Sequence, residues 1–343
     1  MSDRYTSRRQ PALSFGPGGD PAAAPQSRKP TIAVLIPCFN EEQTIAKVVA
    51  DFAAVLPEAE IFVGDNGSSD RTAVVAREAG AHVVFEPLRG KGNVVRRLFA
   101  DVDADLYVLV DGDDTYDAAA ARRLMDRLTD GNLDMVNAAR TTASDDAYRL
   151  GHRFGNAMLT GIVARIFGNR FKDMLSGYRI FSRRFVKSFP ALAAGFEIET
   201  ELTIHALELR MPVAEVATHY VERPEGSDSK LRTYHDGFRI LWTILVLLKE
   251  ERPLPFFGTI AGVLAFASVA LSLPLVPTYL ETGLVPRFPT AILSSAIMLL
   301  ASLSLVCGLI LDTVTRGRRE AKRMRYLQIP GPRAWLEPGR SRP

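Results

Sequence analysis

Apolar runs of strand length alternate with amphipathic stretches through the first part of this chain. Strand-type runs stand at Ile32 to Ile36, Ile61 to Val63, Val83 to Phe85, Leu106 to Val110 and Met135 to Val136. Between them the spacing of apolar positions predicts helices over roughly Glu41 to Leu56, Arg71 to Ala79, Lys91 to Asp101 and Ala118 to Leu128. Short connections between strand and helix imply an α/β fold: a mostly parallel, Rossmann-like sheet with helices on both faces. Before this block, residues 1–29 are rich in Pro, Gly, Ala, Ser and Arg without an apolar period, as in a disordered tail. No apolar segment follows its arginines, so it does not read as a signal peptide.

The pattern changes again towards the C-terminus. Residues 233–252 carry apolar positions at Phe238, Leu241, Trp242, Leu245 and Leu248 around an internal Arg239. That stretch is too short to cross a bilayer and reads as an interfacial helix, with a packed core helix as the alternative. Leu254 to Val276 and Pro289 to Leu311 are uncharged and long enough to span, giving a two-helix hairpin over residues 253–312. Lys249 and Arg252 precede the hairpin, and Arg316, Arg318, Arg319, Lys322, Arg323 and Arg325 follow it within a basic tail, residues 313–343. Arg287 is the one basic residue of the intervening loop, so both ends of the hairpin, with the α/β domain at 30–232, are expected in the cytoplasm and the short loop outside.

Composition narrows the partners. The net charge of +3 over 343 residues is too slight for a nucleic-acid binder, and no basic groove is interleaved with aromatics. Cys38 and Cys307 lie in a core strand and in a long apolar run, which rules out a disulfide framework and fits a reducing compartment.

Polar residues gather at the predicted carboxyl ends of the strands, where open α/β sheets bind ligands. These are Asn40, Glu41 and Glu42 after the first, Asp65, Asn66 and Ser68 after the second, and Asp111 and Asp113 after the fourth. In the run VLVDGDDTYD, alternation along an extended chain puts Asp111 and Asp113 on one side and Asp114 on the other. Two adjacent carboxylates stay charged together when a divalent cation lies between them. A strand, turn and helix cap is the competing reading, with Asp117 as the cap. An EF-hand is excluded, because Tyr116 and Arg122 occupy the positions that need Gly and Glu.

The segments IAVLIPCFNEEQTI, VGDNGSSDRT, RGKGN and VLVDGDDTYD, in this order, resemble the nucleotide-sugar half of family 2 glycosyltransferases with the GT-A fold. MLSGYRIFSRR, GFEIETEL and EGSDSKLRTYHDGFRIL resemble the branch containing dolichol-phosphate mannose synthase and bacterial polyprenyl-phosphate glycosyltransferases. The resemblance covers residues 30–250 and implies a membrane-bound, inverting, metal-dependent hexosyltransferase acting between a UDP- or GDP-linked sugar and a polyprenyl phosphate.

It further implies Asp111 and Asp113 as ligands of Mg²⁺ or Mn²⁺, with Asp113 also catalytic. Pro37, Asn40, Glu41, Asp65, Lys91 and Asp111 would line the nucleotide site. Asp173, the second catalytic candidate, would face the acceptor, with a helix cap or turn acid as its alternative. Arg140, Arg149, Arg153, Ser176, Arg179, Lys230 and Arg232 would meet the acceptor phosphate, where an arginine fork can hold two oxygens; for Ser176 and Arg179 a purely structural role is the alternative. Two positions depart from the family pattern: Asn66 replaces the second acid of its motif, and Thr115 stands where a metal-ligating Gln is usual. Whether Thr115 ligates is open. So are the sugar, the lipid length and the oligomeric state, a homo-oligomer included.

Among Glu197, Glu199 and Glu201, which cannot share one helical face, Glu199 is expected to point inward. His205 reads as a plain helix residue. A processive polysaccharide synthase is disfavoured: the only tryptophans are Trp242 and Trp335, and neither follows an Arg. A lipid-binding scaffold with a decayed transferase fold is the non-enzymatic alternative, but the carboxylates such a relic would have lost are present.

Overall fold

A computed structural model of the chain describes residues 29–141, 161, 171, 173–195, 197–221, 246 and 249–332. Seven strands form one sheet: β1 (Ile32–Cys38), β2 (Ala59–Asp65), β3 (His82–Phe85), β4 (Leu106–Leu109), β5 (Met135–Thr141), β6 (Arg179–Ser182) and β7 (Val213–His219). Helices α1 (Ile45–Val55), α2 (Thr72–Glu78), α3 (Lys91–Asp101), α4 (Ala120–Asp130), α5 (Arg183–Ser188) and α6 (Ile198–Glu208) cover it.

Every residue of β1 is buried, as befits a strand covered on both faces. Its alternate side chains serve two cores. Ile32, Val34 and Ile36 pack with Val48, Phe52 and Leu124, whereas Ala33 and Leu35 pack with Val94, Leu98, Phe99 and Leu202. The period of two along β1 is thus satisfied by helices on opposite sides.

The sheet order is β3-β2-β1-β4-β6-β5-β7. β1 pairs in parallel with both β2 and β4. The chain therefore winds outward from β1 to β3 and returns to β4 on the other side, leaving a switch-point crevice beyond the carboxyl ends of β1 and β4.

The five anticipated strands and four helices are present, with small shifts at their ends. Two strands were not anticipated. β6 is a four-residue, fully buried run wedged antiparallel between β4 and β5, with Leu109 opposite Arg179. β7 lies parallel to β5 at the sheet's edge. A strand of four residues is too short to declare a period, and β7 is only half buried, so neither carries the sequence signal of the first five.

Beyond the sheet, α7 (Pro253–Ser272) and α8 (Leu275–Thr282) lead to the 40-residue α9 (Phe288–Leu327). The segments Pro253–Thr282 and Phe288–Leu327 are long and apolar enough to cross a membrane. α9 meets α7 through small residues: Ser294, Ala301, Gly308 and Thr315, its buried positions, recur every seventh residue. A side chain at Gly308 would crowd Phe257, and Ser268 Oγ donates to the Ser294 carbonyl. Close approach of backbones through small residues is how helices pack where lipid removes the hydrophobic drive.

The sequence assigned residues from 313 onward to a tail, but α9 runs unbroken to Leu327 and its basic end packs on α5 of the sheet domain. The interfacial helix expected at 233–252 falls almost wholly outside the described residues.

Candidate active site

The turns after β1 and β2 hold each other. Asn40, in the left-handed region at φ 54°, donates its backbone N–H to Ser68 Oγ and accepts from the Ser69 N–H at 2.8 Å. Glu41 N–H donates to Thr72 Oγ1, and the Glu42 carboxylate accepts from Arg71 N–H. Asp65, nearly buried, accepts from Ser68 N–H at 3.1 Å. Pro37 lies within β1 opposite Gly64. Of the predicted nucleotide residues, Asn40, Glu41 and Asp65 thus gather at one rim, with Pro37 in the floor.

Asn66 has a different task from the acid it replaces. Its amide donates to the carbonyls of Glu86 and Leu88, at 3.1 and 2.7 Å, and accepts from Gly90 N–H. A carboxylate has no proton for those two carbonyls, so the amide ties the 86–90 loop to β2 in a way that an acid could not. The glycines that follow are there for close packing. Gly90 has φ 123°, and a Cβ there would meet the Ala194 carbonyl at 2.2 Å; one at Gly92 would meet that of Ala193 at the same distance. The RGKGN segment is pressed against a loop about a hundred residues onward.

Around Cys38 the carboxylates of Glu41, Asp111, Asp65 and Asp113 converge. Burial first, and then these four charges, push its thiol well above the ordinary range. Asp113 is 4% exposed and accepts from Thr115 Oγ1 at 2.6 Å. Thr115 thus buttresses Asp113. Asp114, at φ 58°, turns away to pair with Lys47 at 2.7 Å, and Asp117 accepts from Ala119 N–H at the start of α4.

Asp111 lies just past β4 against the backbone of Gly177, where a Cβ would sit 2.2 Å from its Oδ2. Gly177 N–H in turn donates to the hydroxyl of Tyr116. The glycine of MLSGYR is therefore what lets the Asp111 carboxylate occupy its place.

Lys91 Nζ lies 2.5 Å from Asp111 Oδ1 and 2.5 Å from Glu199 Oε1. Burial alone would depress the ammonium, but Asp111 and Glu199 outweigh it and hold its pKa above the ordinary value. Burial raises the Glu199 carboxyl, against the pull of Lys91. Glu199 Oε2 is buried and makes no hydrogen bond. Glu199 does point inward, and the structure gives it a partner that spacing along the chain could not reveal.

The cluster can accommodate a hard cation. Its donors are carboxylate oxygens, and one of them already attracts an internal ammonium. Among the described residues no group of three His, Cys, Asp or Glu side chains forms a ready metal cage. An ion bound by Asp111 and Asp113 would therefore complete its shell with oxygens of a ligand or water, as Mg²⁺ commonly does.

On the far side, two residues predicted in separate roles are joined. Arg140 Nε and Nη2 donate to Asp173 Oδ2 and Oδ1 at 2.7 and 2.8 Å, a two-bonded fork, and the guanidinium lies 5.5 Å from the Tyr220 ring centre. Asp173 thus occupies the fork expected to face an acceptor phosphate.

Two residues named for the acceptor phosphate sit as the structural alternative has them. Ser176 is fully buried and donates to the Ala138 carbonyl. Arg179 is fully buried, donating to the carbonyls of Ser176 and Met174 and to Thr203 Oγ1, and burial draws its pKa down to about 10. Neither offers a face to a phosphate; both brace the 173–179 loop from below. Arg149, Arg153, Lys230 and Arg232 lie outside the described residues.

Sequence reasoning gave no role to Gly177 or Tyr116. Their signal was faint: a lone glycine and a tyrosine in segments noticed for other residues. His205 is structural as expected, edge-on to Phe185 and Phe189, with its Nε2 3.1 Å from Ser188 Oγ and its pKa lowered to about 3 by burial.

Residues 33–189 match the family model described as glycosyl transferase family 2. Glycosyltransferase AglJ of Haloferax volcanii is 35% identical over 245 residues, 71% of this chain and 79% of that protein. A dolichyl-phosphate hexose transferase from the same organism is 28% identical over 64% of this chain and 95% of its own length. Among solved structures, glucosyl-3-phosphoglycerate synthase of Mycobacterium tuberculosis, bound to Mn²⁺, UDP-glucose and phosphoglyceric acid, superposes with a TM-score of 0.52 at 26% identity, covering 64% of this chain and 79% of that one.

Proposed function

Given that the chain belongs to glycosyl transferase family 2, we propose that it moves a single hexose from a UDP- or GDP-linked donor to the phosphate of a polyprenyl carrier, with inversion, at a membrane surface. The observation that carries this reading is the pair Asp111 and Asp113 at the β1/β4 switch point, in a chain that ends in two helices long enough to span a bilayer. The relative named for dolichyl-phosphate hexose transfer supports the lipid acceptor, and the Mn²⁺-bound structural relative supports a divalent metal.

In this reading Asp111 and Asp113 hold Mg²⁺ or Mn²⁺, which when bound offsets the charge of the departing diphosphate. Asn40, Glu41 and Asp65 form the rim that takes the nucleoside. Lys91 keeps a positive charge beside Asp111, ready to meet the donor phosphates, and Glu199 fixes its ammonium there. An acceptor phosphate monoester, with a second pKa of about 6, is already largely dianionic at neutral pH, so no strong general base is required. In this reading Arg140, clasped by Asp173, lends its charge to the acceptor phosphate, and Arg149, Arg153, Lys230 and Arg232 would add theirs. The basic residues flanking the hairpin support a topology with both its ends in the cytoplasm and the 283–287 loop outside.

The test offers UDP- and GDP-sugars with polyprenyl phosphate to washed membranes, reading label in the lipid phase with and without EDTA. Transfer from one donor, abolished by EDTA, is expected. Asp113→Asn should cut that transfer by about a thousandfold while the protein still folds into the membrane. No transfer from any donor, or full activity in Asp113→Asn, would overturn the assignment.

A further inference from the structure

The basic end of α9 is docked. Arg319 Nε lies 3.1 Å from Glu208 Oε1 and Lys322 Nζ 2.8 Å from Glu208 Oε2, and the Glu208 side chain is only 2% exposed. The other arm of Arg319 reaches the carboxylate and the carbonyl of Glu251, at 3.1 and 2.6 Å. One turn further on, Tyr326 hydroxyl donates to Asp134 Oδ2 at 2.8 Å. Asp134 is fully buried and is also gripped by Arg184, whose guanidinium stacks 4.8 Å from the Tyr326 ring centre. Two buried carboxylates of the catalytic domain are thus held from the apolar hairpin's own helix.

Glu208 is the last residue of α6, and Glu199, which holds Lys91 beside Asp111, is in that helix's first turn. Nine residue steps along the α-helix separate them, about 14 Å. One straight element therefore has the active-site ammonium at one end and the α9 dock at the other. From Leu311, where the uncharged run ends, α9 continues sixteen residues to Leu327, about 24 Å of helix beyond the apolar segment.

We propose that the α9 extension is a rigid strut, and that Arg319 and Lys322 are positioning residues which, through Glu208 and α6, set the height and tilt of the active site over the bilayer. The proposal rests on the membrane-acceptor reading above, and it concerns delivery of the lipid phosphate, not donor binding. A flexible tether would let the site roam. A strut holds it at the depth where a phosphate on a membrane-embedded chain emerges, which lowers the entropic cost of meeting that acceptor.

The full-length protein in nanodiscs tests this. A donor dye on Glu78→Cys, an exposed α2 position, in a Cys307→Ser background reports energy transfer to a headgroup acceptor dye. Arg319→Gln/Lys322→Gln should broaden and shift that transfer. It should also raise KM for polyprenyl phosphate by about tenfold, with KM for the nucleotide-sugar unchanged within about twofold. Arg319→Lys/Lys322→Arg should restore both. Unchanged energy transfer in the Gln variant overturns the strut, as does a parallel rise in both KM values, which marks damage to the site itself. If the unmodified protein transfers sugar from no donor, the functional reading fails, while the dye measurement still decides whether the strut exists.

Discussion

The half of the domain built from β1–β4 and the half built from β6, α5, α6 and α9 are held together by different chemistry. In the first, the strand-end groups are tied by short side chain to backbone hydrogen bonds between adjacent turns: Asn40 to Ser68 and Ser69, Glu41 to Thr72, Glu42 to Arg71. Each such bond contributes about 0.5–1.5 kcal/mol and sits near solvent, so one can be lost without losing the turn. The second half meets its neighbours through paired charges: Glu199 with Lys91, Asp173 with Arg140, and Glu208 with Arg319 and Lys322. Removing one partner of such a pair strands the other, at about 3–5 kcal/mol. The β1–β4 half is therefore adjustable residue by residue, whereas the half with β6, α5, α6 and α9 is assembled as a unit.

Lys91 stands on the boundary and gives the hardest test. Lys91→Met leaves Asp111 and Glu199 without their cation and should destabilise the domain by about 3–5 kcal/mol. Adding Glu199→Gln should recover much of that loss in thermal unfolding of the detergent-solubilised protein. A double variant no more stable than the single one would show that the charge pair is not what joins the halves.

Gly177→Ala probes the same seam without touching a charge. Its new methyl must displace the Asp111 carboxylate, so transfer should fall about a hundredfold, equivalent to about 2.7 kcal/mol, with little change in melting temperature. Near-normal kcat/KM in this variant would mean that the placement of Asp111 against the 173–179 loop is immaterial.

The gentlest probe is pH. His205 is held neutral in the fold, its pKa near 3 against an ordinary 6.5, so the unfolded chain takes up its proton first as pH falls. Its contribution is complete above about pH 6.5 and should decline by about 1.4 kcal/mol per pH unit below it, towards pH 3. His205→Leu should flatten that slope by one proton in urea titrations at pH 5 and 6. Hydrogen exchange should place the loss around α5 and α6, not around β1–β3. An unchanged slope in the variant would remove His205 from the comparison.

Much of the β1–β4 half was legible along the chain because its signals are local. The unbroken apolar run Ile32 to Ile36, the turn residues at Asn40 and Asp65, and the carboxylates after β4 each need only a few neighbouring residues to be read. The two apolar helices were legible for the same reason, their length alone meeting the bilayer's thickness.

What only the tertiary structure decided were contacts across long stretches of chain. The antiparallel entry of β6 beside β4 carries Gly177 onto Asp111, turns Ser176 and Arg179 inward, and leaves Arg140 to be clasped by Asp173. The meeting of Lys91 with Glu199, and of Glu208 with Arg319 and Lys322, depends on the same topology. A residue's own neighbours set its helix or strand and the face it presents. Which buried charge finds which counter-charge is fixed by where distant segments come to lie, because an unpaired charge is tolerated in water and not in a core.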